Sequence, residues 1–279
     1  MELIIANNAG FCYGVTRAVN ATLEEAKKEN NVYCLGELVH NKQVNNNLKG
    51  AGITIIDDIS RSKGKTIIRA HGVPKRVYEY AKNNKIDLVD CTCPNVLKVH
   101  EIVKKFNDEG YYIFLTGKKD HPENIGTVSY CDNYSIIEDK NDVDAALVSF
   151  NKSDIRKLLL ISQTTYSVEK FYLIREMISY KIKKDVKFDI ENTICPTTEM
   201  RQKEAEEISK KVDCIIIVGG KNSSNTHKLY DIALKNCKNV FWVEDNIDKK
   251  DVENFKKIGI IAGASTPKES INRIVKLIK

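Results

Sequence analysis

LVDCTCPNVLKVHEIVKKF, residues 88–106, joins a short apolar segment to a helical pattern through two cysteines, Cys91 and Cys93. Asp87–Asp90 reads as a strand. Pro94 follows Cys93 directly, and proline is favoured at the first position of a helix. Val96, Val99, Ile102, Val103 and Phe106 then recur at helical spacing. Cys93 therefore stands after a strand and at a helix N-terminus. Cys91 is read as its inward-packed neighbour.

The same pattern occurs twice more. ANNAGFCYGVTRAV places Cys12 between a strand and a helix with apolar positions Val15, Ala18, Val19, Leu23 and Ala26. FDIENTICPTTEMRQKEAEEI places Cys195 likewise, ahead of Met200, Ala205, Ile208 and Val212. The cysteines are 81 and 102 residues apart.

Short apolar runs alternate with helical patterns along the whole chain, the signature of an α/β fold. About twelve runs read as strands, from Leu3–Ala6 to Ile258–Ala262. Divided at the three cysteines, they fall into sets of four if the N-terminal strand completes the last set. The expectation is three similar α/β lobes, each with a roughly four-stranded sheet: 13–96, 97–193, and 194–279 closed by 1–12.

Composition narrows the function. The chain has 279 residues, and 42% are hydrophobic, enough for ordinary cores. No apolar run approaches the roughly 20 residues that span a bilayer, and the N-terminus does not read as a signal peptide. A cytoplasmic location is expected. Eight cysteines in a reducing compartment are buried hydrophobes, redox thiols or metal ligands rather than a disulfide framework. The net charge of +6 comes without a basic run, so nucleic acid is not an expected partner.

A helix N-terminus favours the thiolate, the form that binds metal. Three such thiolates suit a soft metal or an iron–sulfur cluster. Three ligands where four are usual would leave one iron open. A cysteine taken singly is most often a core thiol; Cys34 and Cys214, inside strand patterns, fit that reading, and Cys131 and Cys237 show nothing beyond it.

Polar residues repeat the strand-end geometry. His40 follows one strand, His71 another, His121 and Glu123 a third, and Thr164 and Thr165 a fourth. GGKNSSN brings Ser223, Ser224 and Asn225 to a helix start, and GASTP does so with Ser265. Small polar residues after glycine at a helix N-terminus bind anions, and α/β folds bind ligands at the carboxyl ends of their strands.

GFCYGVTRAV, ELVHNK, AHGV, CTCPNVLKVH, HPENIGT, QTTYSV, ICPTTEMRQ, GGKNSSNTHKL and AGASTP occur in this order across essentially the whole chain. Together they resemble the 4-hydroxy-3-methylbut-2-enyl diphosphate reductases, the last enzymes of the methylerythritol phosphate route to isoprenoids. The resemblance implies three lobes around a central iron–sulfur cavity. It implies one [4Fe-4S] cluster on Cys12, Cys93 and Cys195, with the fourth iron open to the substrate hydroxyl.

It further implies that His40, His71, Ser223, Ser224, Asn225 and Ser265 hold the diphosphate of a small allylic substrate, with His121 also in the pocket. Glu123 matches the proton donor, and Thr164 a threonine that contacts the substrate hydroxyl. A ferredoxin or flavodoxin is the implied electron donor, and a monomer is expected. Cys91, where a small residue is common, and Pro196 after the third ligand depart from the pattern. Two other classes use some of the same residues. A cluster-binding redox sensor has no need of His121, Glu123 and an anion cradle. A zinc hydrolase finds no HExxH or paired CxxC spacing here.

Overall fold

Runs such as Cys214–Val218, CIIIV, are rich in β-branched residues and buried throughout, as in parallel strands covered on both faces. A computed structural model describes residues 1–279. It contains twelve strands in three four-stranded sheets, and every pairing is parallel. Each expected strand is present, with ends shifted by at most one residue.

In chain order the strands are β1 (Glu2–Ile5), β2 (Val32–Leu35), β3 (Thr54–Ile56), β4 (Lys65–Ile68), β5 (Leu88–Asp90) and β6 (Tyr112–Thr116). Then come β7 (Tyr134–Ile137), β8 (Lys157–Ser162), β9 (Lys187–Ile190), β10 (Cys214–Val218), β11 (Val240–Val243) and β12 (Lys257–Ala262). The sheets run β3-β2-β4-β5, β7-β6-β8-β9 and β11-β10-β12-β1. Each has its second strand at the edge, then its first, third and fourth. In the last sheet the N-terminal strand takes the fourth place.

The chain falls into two compact units. One comprises Met1–Glu24, Val39–Gly52 and Pro196–Lys279. Its sheet buries alternate residues on opposite faces. Ile216, Val218, Ile258 and Ile260 pack under Ile271, Ile274 and Ile278 of α10 (Lys268–Ile278). Ile215, Ile217 and Ile261 pack under Ala205 and Ile208 of α8 (Pro196–Ser209) and Leu229 and Ala233 of α9 (Ser224–Asn236).

Helix α8 departs from expectation in its second turn. Met200, read as an apolar core position, is 51% exposed. The inward place belongs to Arg201, which donates to the carbonyls of Gly10 (2.7 Å) and Ala262 (2.9 Å). One carbonyl ends β12 and the other lies in the loop between β1 and α1, and a guanidinium satisfies the two at once. A thioether cannot.

The other unit comprises Glu25–Leu38 and Ile53–Cys195 and holds two sheets. Phe114, Leu158 and Leu160 meet Phe150, Phe171, Ile174 and Ile178 of α6 (Val143–Asn151) and α7 (Val168–Lys181). On the opposite face Ile113, Leu115, Leu159 and Ile161 meet Val99 and Val103 of α4 (Pro94–Asp108). Leu35, Ile56 and Ile68 form the core of the remaining sheet. The other helices are α1 (Tyr13–Lys28), α2 (Lys42–Gly50), α3 (Lys75–Asn83) and α5 (Pro122–Val128). No helix is long and apolar enough to cross a membrane.

Candidate active site

The three sheets deliver their chemistry from equivalent places. The fourth strands β1, β5 and β9 lead to Cys12, Cys93 and Cys195. The first strands β2, β6 and β10 lead to His40, to His121 and Glu123, and to Ser223–Asn225. The third strands β4, β8 and β12 lead to His71, Thr164 and Ser265. Every residue expected in the site thus follows the carboxyl end of a strand, where parallel strands present their loops.

In the unit that holds Cys12, the turn between β10 and α9 is closely confined. Gly219 has φ +152°, and a Cβ there would lie 2.8 Å from Thr226 Oγ1 and 2.9 Å from Thr266 Oγ1. A Cβ on Gly220 would lie 2.6 Å from the His40 carbonyl oxygen. Ser265 Oγ donates to that same carbonyl at 3.3 Å. Ser223 caps α9 by accepting from Thr226 N. Asn225 is 3% exposed, and its amide oxygen and nitrogen are both buried without a protein partner. A buried amide in that state is costly unless a ligand or water satisfies it. Cys12 N donates to the Ala264 carbonyl at 3.1 Å, tying the cysteine loop to the loop of Ser265.

In the other unit Glu123, on the first turn of α5, is 2% exposed. Its Oε1 accepts from Thr164 N at 2.6 Å and its Oε2 from Thr164 Oγ1 at 2.8 Å. Burial pushes the carboxyl up to about 7, against the opposing pull of these two bonds. His121 caps the same helix, its Nδ1 accepting from Glu123 N at 3.2 Å, so in this arrangement Nε2 carries the proton. The His71 and His121 rings meet edge to face, with centroids 5.3 Å apart.

Thr164 also reaches the third cysteine: Cys195 N donates to its carbonyl at 2.9 Å. Cys93 N donates to the Ala70 carbonyl, next to His71. The strand exit before Cys93 is shaped by Asp90, whose Oδ1 accepts from Thr92 N (2.9 Å) and Thr92 Oγ1 (2.5 Å).

Two contributors escaped the sequence reading. Gln163 is buried. Its Oε1 accepts from Lys118 N and Asn124 Nδ2, and its Nε2 donates to Thr165 Oγ1. Thr165 is thereby a partner of Gln163, and the glutamine next to two threonines was the available signal. Asn95 Nδ2 donates to Cys195 Sγ at 3.0 Å, which brings the N-terminal turn of α4, opened by Cys93, against the third cysteine.

The cysteines divide by exposure, and a thiol that is not buried is better able to ligate a metal as a thiolate. Cys12, Cys93 and Cys195 are all partly exposed, whereas Cys34, Cys91, Cys214 and Cys237 are buried. Burial pushes the Cys34 and Cys214 thiols up to about 12, which keeps them protonated. Cys131, partly exposed, is likewise pushed up to about 12 by desolvation. Cys91 is 1% exposed, as expected of an inward-packed neighbour. An amide N–H on the Cys195 sulfur is the kind of bond that stabilises negative charge on a ligating thiolate.

The sequence model of the family described as LytB protein matches residues 3–279. A protein of Caldanaerobacter subterraneus subsp. tengcongensis, named 4-hydroxy-3-methylbut-2-enyl diphosphate reductase, is 40% identical over 100% of this chain and 97% of its own length. A solved structure of (E)-4-hydroxy-3-methyl-but-2-enyl diphosphate reductase, described as the terminal enzyme of the non-mevalonate pathway, is 36% identical. It aligns over 100% of this chain and 99% of its own, with a TM-score of 0.70. The structure of the E-1-hydroxy-2-methyl-but-2-enyl-4-diphosphate reductase from Plasmodium falciparum is 32% identical. It aligns over 99% of this chain and 87% of its own, with a TM-score of 0.88. With similarity along its full length, in sequence and in fold, the chain belongs to the LytB family, that of the 4-hydroxy-3-methylbut-2-enyl diphosphate reductases.

Proposed function

We propose that the protein is an oxidoreductase that converts 4-hydroxy-3-methylbut-2-enyl diphosphate to isopentenyl and dimethylallyl diphosphate. The C–OH bond is cleaved, two electrons and two protons are taken up, and the oxygen leaves as water. Cys12, Cys93 and Cys195 would hold one [4Fe-4S] cluster, three protein ligands where four are usual. When bound, it would supply electrons singly and Lewis acidity toward the substrate hydroxyl. The electrons come from a ferredoxin or flavodoxin. A reducing cytoplasm suits the eight free thiols.

The chain's own residues bind, orient and protonate. Ser223, Ser224, Asn225 and Ser265 offer neutral donors and an unsatisfied amide to the diphosphate. His40, His71 and His121 add imidazole groups; His121 offers its Nε2–H, since its Nδ1 accepts from Glu123 N. Glu123 delivers the proton to the leaving oxygen, and Thr164 orients its carboxyl and relays the proton.

The observation that carries this reading is the buried Glu123 carboxyl, poised near neutrality and held at both oxygens by Thr164. A cluster that only senses redox state has no use for such an acid. The test is iron and acid-labile sulfide per chain in protein prepared without oxygen. Three to four of each per chain are expected; zinc, or no metal, contradicts the reading.

A further inference from the structure

Trp242 is the one tryptophan of the chain. It lies on the edge strand β11, opposite Ile217 of β10. Its indole touches both sides of the segment Ser223–Asn225. Ahead of that segment, Nε1–H donates to the Gly219 carbonyl at 2.8 Å. Lys221 Nζ sits over the indole, 4.3 Å from the ring centroid, and donates to the Trp242 carbonyl at 2.8 Å. Beyond the segment, α9 sets His227 edge-on against the indole at 4.7 Å and Tyr230 at 5.0 Å.

The far side of the turn has no slack. Gly219 is closed in by Thr226 and Thr266, and Gly220 by the His40 carbonyl. A strand-to-helix turn gripped this way holds its side chains in one direction before any ligand arrives, and preorganisation of that kind is expressed as affinity. The Asn225 amide of this turn is buried with no protein partner for its oxygen or its nitrogen, and a polar ligand could satisfy it. Lys221, the one cation in GGKNSSN, is committed to the indole and to the Trp242 carbonyl.

We propose that Trp242 is a positioning residue for the anion-holding turn 219–225. It sets the direction of Ser223, Ser224 and Asn225 and thereby the affinity for the diphosphate group, without touching the substrate. The identity of the anion as an allylic diphosphate rests on the function proposed above; the positioning role does not.

Trp242→Phe keeps a ring for Lys221, His227 and Tyr230 but removes the N–H. Trp242→Leu removes both. The measurements, on the full cluster-loaded chain, are the Kd for inorganic pyrophosphate by calorimetry, KM and kcat for the allylic diphosphate, and the unfolding midpoint. In Trp242→Phe, pyrophosphate Kd and KM are expected to rise together by about threefold to tenfold, with kcat falling less. The rise is larger in Trp242→Leu if that variant folds; the phenylalanine variant decides the question alone if it does not. A lower unfolding midpoint with Kd and KM unchanged makes Trp242 a packing residue and overturns the proposal. So does a fall in kcat with KM unchanged, or a wild type that does not bind pyrophosphate. Wild-type protein that binds pyrophosphate but does not reduce the substrate overturns the proposed reaction instead, and the Kd ratio still decides the role of Trp242.

Discussion

Thr164 holds both oxygens of the Glu123 carboxyl, its backbone N–H on Oε1 at 2.6 Å and its hydroxyl on Oε2 at 2.8 Å. The two donors differ in kind. A backbone N–H can only donate, whereas a hydroxyl can donate or accept. When Glu123 is protonated, the proton therefore belongs on Oε2, where the Thr164 hydroxyl can turn to accept it. Both bonds favour the carboxylate, burial opposes it, and burial wins.

Glu123→Gln keeps the shape and removes the exchangeable proton. Turnover is expected to fall by about 10²–10⁴, with iron content and pyrophosphate affinity retained. In the wild type, kcat/KM is expected to decline as pH rises through about 7 and the acid is lost; that alkaline limb is absent in the variant. Near-normal turnover in Glu123→Gln removes Glu123 from its role. The same group bears on stability. Its pKa is raised on folding, so its contribution is full below about 4.5 and is lost as pH rises to about 7. Chemical denaturation of wild type and variant across this range should differ by roughly 3 kcal/mol.

Thr164→Val removes the hydroxyl and leaves the N–H. One bond that favours the carboxylate is gone, so the alkaline limb should move above 7, while turnover falls because the relay is broken. A pH–rate profile measures both. An unmoved limb contradicts the assignment of that limb to Glu123.

His100 on α4 is 4% exposed, and neither ring nitrogen has a protein partner. The ring stacks on Tyr130 at 4.8 Å. Burial holds it down to about 4, so it is neutral in the folded protein. Its pKa is lowered on folding, so its contribution is full above about 6.5 and lost as pH falls toward 4. His100→Phe should therefore remove roughly 2–3 kcal/mol of the acid-side loss in denaturant titrations. Identical acid sensitivity in wild type and variant contradicts this.

Asn95→Leu deletes the N–H on Cys195 Sγ. Bonds to ligating sulfur stabilise the more negative, reduced state. The variant is expected to load iron normally and to show a more negative midpoint potential in an EPR-monitored redox titration. An unchanged potential would show that the bond plays no part in tuning.

Gly220→Ala puts a methyl group 2.6 Å from the His40 carbonyl oxygen. Backbone faces backbone there, and no side chain can swing away. A rise in KM of tenfold or more is expected, with a stability loss of about 1–3 kcal/mol by thermal unfolding.

Much of the architecture was legible because it is written locally. CIIIV and YIFLT are runs of strand length rich in β-branched and aromatic residues, and Cys93-Pro94 marks a helix start by itself. The strand counts between Cys12, Cys93 and Cys195 implied three equal sheets. What stayed hidden depends on contacts across the sequence. Asn95 and Cys195 lie 100 residues apart. Arg201 was passed over for Met200 because helical periodicity ranks residues by hydropathy and ignores the carbonyls of Gly10 and Ala262, which are distant in sequence. Trp242 read as one more strand residue; its meaning comes from Gly219 and Lys221 before α9 and from Tyr230 within it. The segment Val39–Gly52, flanked in sequence by β2 and β3, belongs to the unit that does not hold those strands, which no local pattern announces.

The most direct test of the central claim mixes anaerobically prepared, reduced protein with 4-hydroxy-3-methylbut-2-enyl diphosphate while the cluster spectrum is followed. The account predicts oxidation of the cluster only when substrate is added, with isopentenyl and dimethylallyl diphosphate formed in proportion to the electrons lost. A cluster that stays reduced in the presence of substrate, with no isoprenoid product, would contradict it.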